Sequence, residues 1–255
     1  MRLGSRGAWP LYVAVGAALV CVFVLIRGLI GDVATAARQA APQAALGIEV
    51  YDRTADTALL TSDADRPFAA ESVVKLLIAI DALKRHTGSA AKVTQMLARS
   101  DDSIANTLWS AGGGPKIVTT LAAQLRLQHT TPPQDPARWG DTQISAGDVV
   151  KIYQYLESAD QQTIVKALYH APAIAADGFD QSFGIPSIGA GEWWVKQGWG
   201  CCRPDRVLHT TGLVGSGQRY VVVILSSAPS STNAADETRA ITAATQALVP
   251  LLKVR

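Results

Sequence analysis

Between Ser72 and Leu83 the chain reads Ser-Val-Val-Lys-Leu-Leu-Ile-Ala-Ile-Asp-Ala-Leu, with apolar residues at helical spacing around Val74, Leu77, Ile78 and Leu83. The segment is apolar almost all round. A helix without a polar side has no face to turn to water, so it belongs at the centre of a domain with other elements wrapped about it. The sequence on either side says what the wrapping is. Leu46 to Asp52 alternates apolar and polar residues, Arg53 to Thr57 supplies a turn, and Ala58 to Thr61 begins a second strand. Helical patterns follow over Lys92–Arg99, Ser103–Trp109, Pro115–Leu125, Ala146–Glu157 and Gln161–His170, with Pro115 suited to a first helical turn and a loop over Thr130–Gly140. Strand patterns return at Glu192–Gly198, Val207–Val214 and Tyr220–Ser226, and Ala235–Leu252 closes the chain as a helix. Strands at both ends with helices between them predict an α+β fold, one antiparallel sheet built from both termini beside a mainly helical lobe. Its 255 residues suffice for one sizeable core or two small ones.

The N-terminus follows a different rule. From Trp9 to Ile26 no residue is charged, and Leu29 and Ile30 extend the apolar character past Arg27. As a helix that run is roughly 27 Å long, close to the hydrocarbon thickness of a bilayer. Arg2 and Arg6 precede it, which puts the N-terminus in the cytoplasm and the rest outside. A cleaved signal peptide, with Ala34-Thr35-Ala36 as its small-x-small site, and a buried core helix are the alternatives. Cys21, between Val20 and Val22, fits a lipoprotein cleavage site poorly. The expected layout is a cytoplasmic tip and single-pass transmembrane anchor over 1–30, a linker over 31–45, and an extracytoplasmic domain over 46–255 that would be secreted if the segment were cleaved. Within it, 46–66 and 192–255 form the sheet lobe and 72–190 the helical lobe.

Ser72 and Lys75 lie three apart on the central helix, so the ammonium can reach the hydroxyl. A lysine whose pKa is lowered by burial and nearby cations can take the serine proton. By itself the pair also fits an ordinary helix start capped by Ser72. Ser100-Asp-Asp102 follows at the start of a helix, and Lys196-Gln-Gly198 sits on a late strand. In this order the three segments resemble the Ser-x-x-Lys, Ser-Asp-Asn and Lys-Thr-Gly motifs of serine β-lactamases and penicillin-binding proteins, class A enzymes above all. Phe68-Ala-Ala-Glu-Ser-Val-Val-Lys-Leu-Leu-Ile-Ala79 is similar to the nucleophile helix of that family, as are Ala105-Asn-Thr-Leu108 and Gly113-Gly-Pro-Lys116 to its continuation. The resemblance implies a β-lactamase/transpeptidase-like fold with a reduced helical lobe, since the stretch from Ser72 to Ser100 is short. It implies no cofactor. It also implies roles: Ser72 attacks an amide carbonyl, Lys75 accepts its proton, and Ser100 relays a proton to the leaving nitrogen. Lys196 attracts a substrate carboxylate. The backbone N–H groups of Ser72 and Trp199 form an oxyanion hole, with Asp102, Gln197 and Gly198 lining the substrate side.

Three positions depart from the pattern. Asp102 replaces an asparagine, so a side-chain amide is lost and a carboxylate that favours charged Lys75 is gained. Gln197 replaces a hydroxyl residue, leaving a longer and more mobile donor. No glutamate occurs between Ser103 and Tyr155, where class A enzymes place the base that activates the deacylating water; Asp135 and Asp141 could stand in or be solvated loop residues. Two function classes follow: an acyl-serine hydrolase or transferase for β-lactams or D-amino-acid cell-wall peptides, and a binding or scaffolding protein that keeps the fold without the chemistry.

The remaining features carry less. His86, His129, His170 and His209 have no ligand spacing, so no metal is expected. Gly112-Gly-Gly114 follows no strand and lacks a phosphate-loop lysine-hydroxyl pair. Cys201 and Cys202 read as small semi-buried residues, with a vicinal disulfide as the alternative in an oxidising compartment. Of Trp193, Trp194 and Trp199, one of the first two is expected in the core and the others in the cleft. A net charge of +2 with interspersed signs gives no basic stripe, so the expected partners are a small-molecule or peptide substrate and a membrane, with no nucleic acid.

Overall fold

The computed structural model describes residues 31–157, 161–189 and 191–253. Its strands are β1 (Ala45–Asp52), β2 (Thr57–Ser62), β3 (Phe68–Ala69), β4 (Gln143–Ile144), β5 (Trp193–Gly200), β6 (Arg206–Val214) and β7 (Tyr220–Ala228). Five of them form one sheet in the order β2-β1-β7-β6-β5, antiparallel throughout, while β3 and β4 pair separately. The N-terminal hairpin thus joins the C-terminal meander edge to edge, as the placement of strands at both ends of the sequence predicts. β7 is central, and its two faces are both buried. Val221, Val223 and Leu225 turn toward the helical lobe, and Tyr220, Val222 and Ile224 toward the other side.

The helices are α1 (Lys75–Lys84), α2 (Ala90–Ala98), α3 (Asp102–Gly112), α4 (Pro115–Leu125), α5 (Ala146–Tyr155), α6 (Gln162–Leu168) and α7 (Ala234–Gln246). α1 is the enclosed helix. Every residue from Lys75 to Ala82 is buried, with α2, α3, α4 and α6 packed around it. Leu76, Leu77, Ile78 and Ile80 are wholly out of water, each worth about 2 kcal/mol of transfer free energy. The helix is preceded by one tight turn of 3₁₀ helix, Glu71–Val74, so Ser72 enters on a different pitch from the rest.

Two boundaries differ from the sequence reading. Residues 31–40 are helical rather than an irregular linker, and Val33, Ala37 and Ala41 are buried in the same core as Leu46, Ile48 and Ile241. The four-residue spacing of these small side chains makes an apolar stripe, and the alanine content favours the helix. The polar residues that suggest a spacer lie outside the stripe, where Arg38 pairs with Asp63 at 2.6 Å. Likewise Phe183 and Ile185, placed by sequence in the helical lobe, pack into the core on the opposite face of the sheet. Thr210 Oγ1 and Thr242 Oγ1 hold that segment by accepting from the N–H groups of Ile185 (3.1 Å) and Gly184 (3.0 Å). The anchor expected over 1–30 lies outside the described residues. Among the described residues no helix is long and apolar enough to cross a membrane.

Candidate active site

The central helix, the start of α3 and strand β5 meet at one point, and each brings one motif. Glu71 and Ser100 both adopt positive φ, at 46° and 53°, a region costly for residues with a side chain and concentrated at functional sites. Ser100 turns the chain into α3, where the next residue, Asp101, caps the helix by accepting from Ile104 N–H at 3.1 Å. The middle residue of the second motif is thus structural. β5 passes close to the nucleophile turn, and a Cβ on Gly198 would lie 3.1 Å from the Ala70 carbonyl oxygen and from Val73 Cγ2. A side chain at 198 would have to displace these neighbours by a few tenths of an ångström, so glycine suits the close approach.

The four candidate catalytic groups form a continuous chain of contacts. Lys75 Nζ donates to Ser72 Oγ at 2.7 Å, and lies 3.2 Å from Ser100 Oγ and 3.0 Å from the Ser100 carbonyl. Ser100 Oγ in turn accepts from Lys196 Nζ at 2.9 Å. Ser72, Lys75, Ser100 and Lys196 are all buried. Burial pulls the Lys75 ammonium below the usual lysine range, and the Asp102 carboxylate, 2.5 Å away and 62% exposed, works against that pull. Burial, and then the charge of Lys75, drive Lys196 well below it. The arrangement can carry a proton from Ser72 to Lys75 and on through Ser100.

The residues expected on the substrate side divide. Asp102 belongs to the site as the partner of Lys75. Trp199 lies at its edge, 5.6 Å from Lys196 Nζ, stacked on Phe179 with its indole N–H given to Asp177 at 3.0 Å. Gln197 does not face the cleft. Its neighbour Lys196 points inward, so strand alternation turns Gln197 to the opposite face. There it is buried and donates to the carbonyls of Phe183 (2.7 Å) and Gln181 (3.2 Å). The expectation of a mobile donor reaching substrate from this position is therefore corrected. Of the other tryptophans, Trp194 is buried and Trp193 half-buried, packed against the core on the opposite face of the sheet and 4.6 Å from the His170 ring. Cys201 and Cys202 are exposed beyond the end of β5, joined in a vicinal disulfide.

Several residues with roles in the site carry no motif. His209 on β6 is buried, accepts from Ser226 N–H at Nδ1 (3.0 Å) and so gives its Nε2 proton to the Ala69 carbonyl at 2.8 Å. Burial takes its pKa down to about 4, so the ring is neutral. It ties the turn before Ser72 to the sheet. Behind Lys196, Thr211 Oγ1 donates to the Lys196 carbonyl (2.6 Å) and Tyr153, wholly buried, completes the chain at 3.0 Å. Glu71 wedges its carboxyl between Gly140 and Gly200, where burial and then the charge of Asp141 raise it to about 7. On the loop, Asp141 pairs with Arg138 Nε at 2.7 Å and Asp135 accepts from Ala137 N–H at 3.0 Å, so both serve the loop itself. The loop residue that reaches Lys75 is Trp139, whose ring centre lies 4.6 Å from Nζ. A depression of about 210 Å³ beside it is lined by Glu71, Ala137, Arg138, Trp139, Gly140 and Asp141. A larger groove of about 590 Å³, between residues 179–187 and α7, contains none of the motif residues.

No protein-family model matches the chain. Sequences from Mycobacterium tuberculosis and Mycobacterium bovis, named "Putative lipoprotein LppW", are 34% identical over 240 residues, spanning 86% of this chain and 74% of theirs. Among solved structures, a class A β-lactamase from Bacteroides cellulosilyticus superposes with a TM-score of 0.70 at 11% identity, covering 88% of this chain and 98% of its own. The class A β-lactamase from Mycobacterium abscessus gives 0.69 at 16%, covering 88% and 98%. A variant of the penicillin-binding protein PBP-A, captured as an acyl-enzyme with penicillin G, gives 0.65 at 15%, covering 89% and 97%. The chain belongs to the family of LppW, and its fold is that of the serine β-lactamases and penicillin-binding proteins.

Proposed function

We propose that the protein is an exported, membrane-attached acyl-serine protein whose Ser72 is acylated by β-lactams or by D-amino-acid peptides of the cell wall. The observation that carries this reading is the contact chain Ser72–Lys75–Ser100–Lys196. In the proposed step, Ser72 Oγ bonds to the amide carbonyl carbon as its proton passes to Lys75. The carbon–nitrogen bond then breaks while Ser100 delivers a proton, resupplied from Lys75, to the leaving nitrogen. Backbone N–H groups of Ser72 and Trp199 would receive the carbonyl oxygen. Membrane attachment rests on the apolar run Trp9–Ile26, read as a single-pass anchor, and on the lipoprotein name of the relatives.

A second reading, a binding protein that has lost the chemistry, is favoured by the Lys75–Asp102 ion pair and by Gln197 facing away from the cleft. One experiment separates the two. The full-length protein in detergent is incubated with a fluorescent penicillin beside Ser72→Ala. Ser72-dependent labelling is expected under the first reading, and its absence would leave the second.

A further inference from the structure

Trp139 reaches Lys75 from the loop before α5, and three facts describe how it is held. It opens the short 3₁₀ turn Trp139–Asp141, its indole N–H donates to Asn106 Oδ1 on α3 at 2.7 Å, and its ring lies over Lys75 Nζ. The hydrogen-bond partners of Lys75 Nζ among the described residues are oxygens of Ser72, Ser100 and Asp102. On the loop side the lysine therefore meets an aromatic face. An indole has a single N–H donor and no proton-accepting atom, and here that donor is already given to Asn106.

This matters for the second half of acyl-serine chemistry. Releasing an acyl group requires a water beside the ester and a base to take its proton. The water oxygen bonds to the acyl carbon, the carbon–Ser72 Oγ bond breaks, and Ser72 recovers a proton. Base and water must approach from a side of the site not taken by the substrate. The loop carboxylates do not offer a base: Asp141 is paired with Arg138, and Asp135 turns back to Ala137.

Resting on the acyl-serine reading above, we propose that Trp139 determines the fate of the Ser72 ester: by filling the space beside Lys75 it keeps activated water out, so the protein holds its acyl group and acts as a long-lived covalent binder rather than as a hydrolase. Trp139 is a specificity-determining residue in this role, selecting between retention and release. Replacing it by alanine leaves Lys75, Asn106 Oδ1 and Asp102 lining the vacated space, enough polar partners to retain a water.

The test uses the full-length protein labelled with fluorescent penicillin and then freed of excess probe, and follows dye remaining on the protein in the wild type, Trp139→Phe and Trp139→Ala. The wild type and W139F are expected to keep their label alike, and W139A to lose it about tenfold faster. Thermal melting of each variant checks that the fold is retained, and W139F keeps the ring if W139A does not fold. Equal decay in W139A and the wild type overturns the proposal while leaving acylation intact. So does rapid release in the wild type that Glu71→Gln abolishes, or rapid release in W139F should W139A fail to fold. If neither the wild type nor Asp102→Asn takes Ser72-dependent label, the acyl-serine reading itself fails and this inference with it.

Discussion

Lys75 Nζ stands 2.5 Å from Asp102 Oδ1, closer than the 2.7 Å that separates it from the hydroxyl it would deprotonate. The carboxylate favours the ammonium form, and an ammonium cannot accept a proton. Asp102 is largely solvent-exposed, which screens the pair and limits its effect. Asp102→Asn is therefore expected to raise the rate of Ser72 labelling by about tenfold. A rate unchanged within error would mean that the ion pair does not limit acylation.

Gln197→Thr is expected to leave that rate alone and to lower stability. The substitution removes two buried hydrogen bonds to the 181–183 segment, at about 1 kcal/mol each, and leaves part of the space unfilled. A threonine here would sit on the face of β5 away from Ser72. Denaturant melting and labelling kinetics on the same preparation check both halves. Faster labelling by the threonine variant would contradict the assignment of that face.

His209 gives the fold an acid-sensitive joint. Its folded pKa, about 4, lies below the ordinary histidine value of 6.5, so the unfolded chain binds the proton more readily. The resulting stability is full above pH 6.5 and falls as pH drops toward 4, by about 3 kcal/mol in total. In His209→Asn this slope should disappear, whatever the variant's absolute stability. Melting measured from pH 7.5 to 4 compares the two slopes, and parallel slopes would contradict the prediction.

Glu71 acts in the opposite direction. Its carboxyl is raised to about 7 from 4.5, so its contribution is full below pH 4.5 and is lost as pH rises through 7. Glu71→Gln should match the wild type near pH 4.5 and exceed it by about 2 kcal/mol at pH 8, after allowing for partial exposure. Melting curves at those two pH values decide it. A variant less stable than the wild type at pH 8 would mean that the ionised carboxylate is stabilising.

What the sequence made legible follows from the kind of signal each element carries. The pattern of α1, apolar on every side, and the alternation of β5, β6 and β7 report burial directly, so the fold and the positions of Ser72, Lys75, Ser100 and Lys196 could be read from them and their motifs. Gln197 was misread because motif position suggests contact with ligand, while strand alternation dictates the opposite face; the period of two was the better guide. Residues 31–40 were misread because small apolar residues form a weak stripe, visible only once the sheet face they cover is known. Trp139 and His209 are of another kind. Their roles depend on the distance between a loop and α1, and between β6 and the turn before Ser72. Each pair is separated in sequence by more than sixty residues, and no local pattern encodes such a distance.

The helix over 31–40 also changes what the domain can reach. A flexible linker of that length would let the active site wander through a volume set by polymer statistics. Here Val33, Ala37 and Ala41 are locked into the sheet's core, so residues 31–41 are part of the folded body and supply no slack. If the apolar run over 9–26 is held in a bilayer, residues 31–41 add nothing to the tether between that surface and Ser72.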